Sequence, residues 1–276
     1  MAKILTEEEV AAYGRDGFHF PIQVMNKCQA RQFRTNLEDF EAKNNKNIRQ
    51  KIKTKMHLVL TWIHDLVTLP RVLDSVEDVI GPNILCWNST FFIKEAHHPG
   101  HVTWHQDSTY WGMDSPDIVT AWIALSCVSI ETGPMRVIPG SHKWPQLDHE
   151  DTFAEDNLLS RGQRLTEDPD DTDGIDLVLE AGEMSLHHVA LVHASSSNRT
   201  NDRRIGLAVR YLPPHVRQVG GIEDTALLVR GEDCYNNFHH ERPPKADMDP
   251  EALEYHSKII HNMAKVKFAG TGRGYS

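Results

Sequence analysis

The chain has 276 residues, of which 39% are hydrophobic and 25% are charged, and its formal net charge is −10. This length and composition are those of a globular protein with a substantial hydrophobic core. The negative charge argues against a nucleic-acid-binding protein, because such proteins need a basic surface. Two short basic stretches, 49–55 and 201–204, leave room for local contacts with anions.

The sequence predicts neither a membrane span nor a disulfide framework. It contains no run of 18 apolar residues, and its first ten residues lack the apolar core of a signal peptide. Four cysteines lie far apart, at Cys28, Cys86, Cys127 and Cys234. We expect them to be free thiols in a reducing compartment, which predicts a cytoplasmic protein.

The elements in chain order predict an α+β protein. Residues 1–80 have mostly helical patterns, with a capping box from Thr6 to Glu9, a cap at Asn26, and a helix that stops at Gly81. Short β-branched and aromatic runs follow from 84 to 214 and predict strands. We therefore expect a single domain, 1–276, with a helical flank at about 1–80, a β-sandwich or barrel core at about 81–240, and a C-terminal helix at about 248–268.

A first pair of candidate metal ligands lies in the stretch 101–111, HVTWHQDSTYW. On a strand, His105 and Asp107 project to the same side because residues two apart share a face. Two histidines and one carboxylate bind non-haem Fe(II) in the facial triad and leave three coordination positions open. The pair alone is a weak signal, since a polar strand end could carry it by chance.

A third ligand must come from a distant strand. His187 and His193 share one face of the stretch 186–198, and position alone does not choose between them. In the next run, Arg204 shares its face with Gly206, Ala208 and Arg210, and the small glycine and alanine leave space for a bound molecule. Arginine in such a space can hold a carboxylate through two hydrogen bonds, although a surface ion pair is the commoner role. This pattern favours His193 as the ligand and Arg204 as a carboxylate clamp.

Five motifs together resemble the phytanoyl-CoA dioxygenase family of Fe(II)- and 2-oxoglutarate-dependent oxygenases, over roughly residues 5–240. They are WHQDSTYW (104–111), AWIAL (121–125), TGPMRVIPGSHK (132–143), AGEMSLHHVALVHASSSN (181–198) and RRIGLAVRYLPP (203–214). The resemblance implies a double-stranded β-helix, or jelly roll, with helical flanks. It also implies Fe(II), 2-oxoglutarate as cosubstrate, and O₂.

The resemblance assigns roles to individual residues. It implies an iron triad of His105, Asp107 and His193, with 2-oxoglutarate bound by Arg204 and Ser195. The presence of Asp107 implies a hydroxylase, since the family's halogenases have a small residue there. Other histidines nearby are not expected to bind the metal. His97, His98 and His101 are expected in a loop, and His187 and His188 are expected to pack or to orient a ligand.

The substrate is less constrained than the iron chemistry. The resemblance places an aromatic residue at position 111 in the substrate pocket, and Tyr110 and Trp111 could hold an ammonium group. Lys94, Arg210 and Lys55 could hold an anion. We therefore expect a small-molecule substrate, with an aminoalkylphosphonate or a quaternary-ammonium phosphonate as first choice. An acyl-CoA 2-hydroxylase, and a non-catalytic metal-binding sensor or interaction module, remain alternatives. The sequence leaves the oligomeric state open.

Overall fold

The structure is a computed structural model, and it describes residues 3–272. This part of the chain forms helices at both ends and strands between them. The helices are α1 (Glu7–Asp16), α2 (Lys27–Asn44), α3 (Ile48–Lys51), α4 (Thr61–Val67), α5 (Pro70–Ile80) and α6 (Pro250–Lys267). The strands are β1 (Phe18–Gln23), β2 (Ile84–Lys94), β3 (Val102–His105), β4 (Val119–Ala124), β5 (Met135–Val137), β6 (His149–Asp151), β7 (Gln163–Leu165), β8 (Ile175–Leu177), β9 (Glu183–His188), β10 (His193–Ser195), β11 (Arg204–Leu212), β12 (Thr225–Arg230) and β13 (His239–His240).

The N-terminal helices begin and end at the predicted signals. The hydroxyl of Thr6 accepts from the backbone N–H of Glu9 at 3.2 Å, and the Glu9 carboxylate accepts from the backbone N–H of Thr6 at 2.7 Å. Asn26 forms the same reciprocal box at the start of α2. Helix α5 ends at Gly81, whose φ of 87° suits glycine. These caps confirm the predicted boundaries.

The strands form two sheets that face each other, as the predicted jelly roll requires. The seven-stranded major sheet has the order β1-β9-β4-β11-β2-β12-β13, and the four-stranded minor sheet has the order β3-β10-β5-β8. A separate hairpin joins β6 to β7. Side chains of both sheets line one small chamber between them. The predicted fold class is therefore confirmed.

Strand β1 was not predicted, because it lies inside the flank that was expected to be helical. It pairs with β9 at the edge of the major sheet, with Phe18 opposite His187. The run is only six residues long and contains Pro21, which weakens any strand signal. Proline is tolerated here because β1 is an edge strand. The β core therefore includes residues from the predicted flank.

Strand β11 separates the hydrophobic core from the chamber. Its residues Ile205, Leu207 and Val209 are fully buried in the main hydrophobic cluster, together with Leu66 of α4 and Val76 of α5. The alternate residues of β11 face the chamber instead. The alternation that the sequence predicted for this strand is therefore observed, with the helices covering the outer face of the major sheet.

The C-terminal helix α6 closes one side of the molecule. The carboxylate of Asp249 accepts from the backbone N–H of Ala252 at 3.0 Å and caps the helix, and Ile259 and Met263 pack into the main core. Its bounds agree with the predicted helix. Between residues 3 and 272, no helix combines the length and apolarity needed to cross a membrane. All four cysteines are free, as predicted.

Candidate metal centre and its two pockets

Three buried side chains meet between the two sheets. His105 ends β3, His193 begins β10, and the two residues pair directly across the minor sheet. The sequence suggested that Asp107 also lies on the strand. Instead, Asp107 begins a short 3₁₀ turn that follows β3. The turn still brings Asp107 Oδ1 to 3.5 Å from His105 Nε2. One ligand atom from each of the three residues lies within 4.8 Å of the others, the only such group among residues 3–272.

Backbone carbonyls fix the tautomers of both histidines. His105 Nδ1 lies 2.9 Å from the carbonyl oxygen of Thr103, and His193 Nδ1 lies 2.9 Å from that of Leu191. A carbonyl only accepts, so each Nδ1 carries the proton and each Nε2 keeps a lone pair. This is the arrangement that orients histidine for metal binding.

The charge states of the triad suit a divalent cation. Burial alone would raise the pKa of Asp107, but its neighbours His105, His193 and Arg210 outweigh burial and hold that pKa well below its usual range. Burial, followed by His105, lowers the pKa of His193 well below its usual value. A carboxylate and the Nε2 atoms of two imidazoles are therefore available as ligands, and this donor set fits Fe(II).

Arg204 lies in the chamber next to the triad, on the inner face of β11. It is 2% exposed, its guanidinium donates to the carbonyl of Gly133 at 2.7 Å, and it lies 5.1 Å from the centre of the Trp122 ring. Burial lowers its pKa to about 9, so it stays charged near neutral pH. A Cβ on Gly206 would collide with the Trp122 ring, so only glycine leaves room for that ring beside Arg204.

Several polar atoms of the chamber lack a hydrogen-bond partner. Thr120 Oγ1, His187 Nδ1 and Arg204 Nε are buried and unpartnered, and all three residues line the chamber. Buried polar groups are normally satisfied, so these atoms indicate a site that a polar ligand completes. A carboxylate such as those of 2-oxoglutarate could accept from Arg204 Nε. Sequence reasoning missed Thr120, because a strand threonine carries no distinguishing signal.

Lys94 and Ser195 lie together at this end of the chamber. Lys94 is opposite Arg204 in the β2–β11 pair, and its Nζ donates to Ser195 Oγ at 2.7 Å and to the Gly133 carbonyl at 3.1 Å. Burial, and then the charge of Arg204, lowers the pKa of Lys94 to about 5. The sequence suggested Lys94 as a substrate contact, whereas the structure places it beside the residues expected to bind 2-oxoglutarate.

A larger outer cavity of about 880 Å³ adjoins the metal centre. Asp107 and Arg210 line both the cavity and the chamber, and Tyr110 and Trp111 line the cavity alone. The Arg210 guanidinium lies 5.6 Å from the centre of the Trp111 ring. Three of the four proposed substrate contacts, Tyr110, Trp111 and Arg210, therefore share this cavity.

The other histidines that the sequence singled out are not part of the triad. His97 and His98 are exposed in the loop between β2 and β3, and His97 Nε2 lies 2.7 Å from Asn201 Oδ1. His188 projects to the other side of β9 from His187 and stacks near His142, with ring centres 5.2 Å apart. Of these histidines, His187 lines the chamber, with its ring centre 5.1 Å from that of His193.

Comparison with known proteins agrees with this geometry. The family model described as Phytanoyl-CoA dioxygenase (PhyH) matches residues 3–206. A probable alpha-ketoglutarate-dependent hypophosphite dioxygenase of Stutzerimonas stutzeri is 32% identical over 157 residues, which cover 56% of this chain and 54% of that protein. L-proline trans-4-hydroxylase of Streptomyces griseoviridis is 28% identical over 225 residues, covering 72% and 83% of the two chains.

A solved structure extends the comparison to nearly the whole chain. The non-heme monooxygenase ThoJ, in its apo form, superposes with a TM-score of 0.82 at 32% identity, covering 94% of this chain and 96% of that one. By contrast, the chain spans about half the length of the hypophosphite dioxygenase that it matches. The fold is therefore shared along the chain, while similarity to individual curated relatives is partial.

Proposed function

Because the chain belongs to the phytanoyl-CoA dioxygenase family of Fe(II)- and 2-oxoglutarate-dependent dioxygenases, we propose that it hydroxylates an unactivated C–H bond of a small polar metabolite. One observation carries the proposal. The buried group of His105, Asp107 and His193 shares a chamber with Arg204, whose Nε is buried without a partner. A metal-binding sensor would need the three ligands but would have no use for a carboxylate clamp.

Different side chains would bind the metal and the distal carboxylate of the cosubstrate, at two ends of the site. His105, Asp107 and His193 would hold Fe(II), and Arg204 with Ser195 would bind the distal carboxylate of 2-oxoglutarate. When bound, Fe(II) supplies the oxidation in which 2-oxoglutarate, O₂ and a C–H group become succinate, CO₂ and an alcohol. Lys94 would position Ser195 through the 2.7 Å hydrogen bond between them.

The outer cavity would hold the substrate beside the metal. Asp107 lies at the border between the two pockets, so a molecule in the outer cavity can present a carbon to the metal. Tyr110 and Trp111 would form its aromatic wall and exclude water from the reacting carbon. The outer cavity is large enough for a molecule that would not fit in the chamber.

For the substrate, we propose a phosphonate, with an aminoalkylphosphonate or quaternary-ammonium phosphonate as first choice. Arg210 provides a cation for the anionic group, and the resemblance to a hypophosphite dioxygenase supports a phosphorus oxyanion. The ammonium group has weaker support. The ring of Tyr110 already lies 4.5 Å from the guanidinium of Arg161, and Trp111 lies beside Arg210. These arginines would repel a second cation.

A turnover assay tests both the proposed enzyme class and the proposed substrate class. Purified protein with Fe(II) and 2-oxoglutarate would be incubated with small amines, phosphonates, amino acids and acyl-CoA thioesters, and succinate would be measured against a substrate-free control. We expect substrate-dependent succinate with a small phosphonate and none with an acyl-CoA. Turnover of an acyl-CoA alone would overturn the substrate class. Absence of 2-oxoglutarate binding would overturn the enzyme itself and favour a sensor.

A further inference from the structure

The wall of the outer cavity includes an asparagine whose side-chain amide is only half used by the protein. Three asparagines line this cavity, Asn47, Asn88 and Asn157. The amide of Asn157 donates to Thr103 Oγ1 at 2.8 Å and accepts from the backbone N–H of Leu159 at 3.0 Å. Asn47 is likewise paired at both ends of its amide. Asn88 is the exception, because within the described part of the chain only its oxygen has partners.

Two donors fix the orientation of the Asn88 amide. The hydroxyl of Thr54 and the backbone N–H of Lys55 contact the same amide atom, the latter at 3.1 Å. A backbone N–H can only donate, so that atom is the oxygen, Oδ1. Lys55 is itself held by its buried ion pair with Glu241 at 2.6 Å, which keeps this segment in place. The NH₂ group of Asn88 is therefore the end of the amide that remains for the cavity.

These contacts also set the direction of the hydrogen bond between Thr54 and Thr90. The two hydroxyl oxygens lie 3.1 Å apart. Thr54 gives its single hydroxyl hydrogen to Asn88 Oδ1, so Thr90 must be the donor to Thr54. The Thr90 oxygen then has only lone pairs left. Because Thr90 is partly exposed and lines the outer cavity, it offers that cavity a hydrogen-bond acceptor.

Asn88 and Thr90 lie next to each other on the inner face of β2. They are two residues apart and therefore share a face of the strand. In the pairing with β11, Asn88 is opposite Arg210 and Thr90 is opposite Ala208. Arg210 and Ala208 both line the chamber, so the two residues lie on the side of the cavity that adjoins the metal centre. The wall thus presents a donor and, about 7 Å along the strand, an acceptor.

We propose that Asn88 and Thr90 select the polar groups of the substrate: Asn88 donates to an oxygen of its anionic group, and Thr90 accepts from an N–H or O–H group. This inference rests on the proposed function, because it takes the outer cavity as the substrate pocket. It also decides between the two substrates named there. A primary amine or a hydroxyl has a hydrogen for Thr90, whereas a quaternary ammonium has none and would leave the acceptor unpaired. The pair therefore favours an amino- or hydroxyalkylphosphonate over a quaternary-ammonium phosphonate.

The test is a calorimetric titration of the anaerobic Fe(II)–2-oxoglutarate protein with a matched series of phosphonates. 2-Aminoethylphosphonate and 2-hydroxyethylphosphonate carry the donor, whereas 2-(trimethylammonio)ethylphosphonate and propylphosphonate lack it. We expect at least one donor compound to bind about tenfold more tightly than both compounds without a donor. The tighter of the two donor compounds identifies whether the hydrogen comes from an N–H or an O–H group.

Thr90→Val removes the acceptor with little change of shape. We expect it to raise the Kd of the donor compounds by about tenfold and to leave that of propylphosphonate unchanged, since propylphosphonate has no hydrogen to donate. Thr90→Ser keeps the hydroxyl and should keep the selectivity. Thr68→Val is the control, because it also removes one internal hydrogen bond, to the carbonyl of His64 at 2.8 Å, but lies outside both pockets. A loss shared equally by every phosphonate in Thr90→Val would overturn the role of Thr90.

Asn88→Asp keeps the oxygen that faces Thr54 and Lys55 but loses the amide donor. Asn157→Asp adds the same charge to the same cavity wall, at an amide whose donor is already used by Thr103. We expect Asn88→Asp to weaken the binding of propylphosphonate about tenfold more than Asn157→Asp does. Equal effects of the two substitutions would overturn the role of Asn88 as a donor to the anionic group.

Failure of the proposed function has different signatures. If 2-oxoglutarate did not bind, the enzyme class would be wrong. If 2-oxoglutarate bound but none of the four phosphonates did, the substrate class would be wrong, and the roles assigned to Asn88 and Thr90 would be wrong with it. Equal affinities for all four phosphonates in the presence of bound 2-oxoglutarate would overturn the selection by Asn88 and Thr90 alone.

Discussion

At the scale of single residues, the metal centre depends on three side chains that cannot replace one another. We expect alanine at His105, Asp107 or His193 to lower both Fe(II) affinity and succinate formation by more than roughly 100-fold, since even residues that only orient a ligand contribute about 10–100-fold. Iron content and turnover would be measured on each folded variant. His97→Ala, in the exposed loop and outside both pockets, is the control and should retain both. Near-normal turnover in any triad variant would refute the assignment.

The two adjacent arginines, Arg203 and Arg204, provide a matched pair for the cosubstrate. Arg204→Lys keeps the charge but loses the planar fork, so we expect KM for 2-oxoglutarate to rise by about tenfold or more, with a smaller change in iron affinity. Arg203 faces the other way and forms ion pairs with Glu41 and Glu95, each at 2.8 Å. Arg203→Lys should therefore change KM by less than about twofold. Steady-state kinetics that showed the opposite order would mean that Arg203, not Arg204, binds the carboxylate.

The sequence was sufficient for those contacts that follow from alternation along one strand. The common face of Arg204 and Arg210, and the choice of His193 over its neighbours, required only the period of two and the small residues beside Arg204. The positions of Lys94 and Lys267 could not be predicted in this way. Lys94 is beside Arg204 because β2 pairs with β11, and Lys267 reaches the cavity because α6 docks there.

At the scale of elements, strand β11 needs glycine at position 206 because the Trp122 ring of β4 packs against it. A methyl group at Gly206 would collide with Trp122 of β4, and the ring would have to move away from Arg204. We expect Gly206→Ala to destabilise the protein by about 1–3 kcal/mol and to raise KM for 2-oxoglutarate. Chemical denaturation and steady-state kinetics would measure the two effects.

Gly14, inside helix α1, is the matched control for that substitution. Apart from the backbone of its own helix, nothing lies within 4 Å of the position that its Cβ would occupy. Gly14→Ala should therefore stabilise the protein by roughly 0.5–1 kcal/mol, because alanine is the better helix former, and should leave KM unchanged. A Gly206→Ala protein as stable as Gly14→Ala would show that the Trp122 ring moves without cost.

Elements with strong local signals were predictable, whereas elements defined by their partners were not. Capping boxes at Thr6 and Asn26 are sequence-local, so the helix starts agreed with expectation. Strand β1 exists because β9 offers it an edge, and its own sequence contains a proline. The short hairpin of β6 and β7 likewise depends on pairing between segments that carry little β signal of their own.

At the scale of the whole molecule, a buried ionic network joins the N-terminal flank to the segment after β13. Lys55 Nζ lies 2.6 Å from Glu241 Oε1, and His57 Nε2 lies 3.0 Å from Glu241 Oε2. His57 Nδ1 contacts Ser89 Oγ of β2 at 2.8 Å. Sequence alone offered Lys55 as an anion contact, but it is fully buried in this network and lines neither pocket. We therefore predict that the flank and the β core unfold together as one domain.

Removing the central carboxylate tests that coupling. Glu241→Gln would leave the Lys55 ammonium buried without its counter-charge, so we expect a loss of about 3–5 kcal/mol in the free energy of unfolding at pH 7. Urea unfolding would be followed by circular dichroism and by tryptophan fluorescence, and the two curves should coincide in both proteins. Glu251→Gln breaks an exposed pair with Lys245 instead and should cost less than about 0.5 kcal/mol. Separate transitions in the unmodified protein would show two folding units.

The same network predicts how the loss of unfolding free energy in Glu241→Gln depends on pH. Burial alone would raise the pKa of Glu241, but Lys55 and His57 outweigh it and lower that pKa from 4.5 to about 2. Between these two values the unfolded chain binds a proton at Glu241 that the folded protein does not, so stability falls as the pH falls. The amide side chain introduced by Glu241→Gln does not titrate, so the variant lacks this contribution to the pH dependence. The stability difference between the unmodified protein and Glu241→Gln should therefore be largest above pH 4.5 and narrow steadily towards pH 2. A difference that stayed constant across this acidic range in urea titrations would mean that the contribution of Glu241 does not depend on its charge.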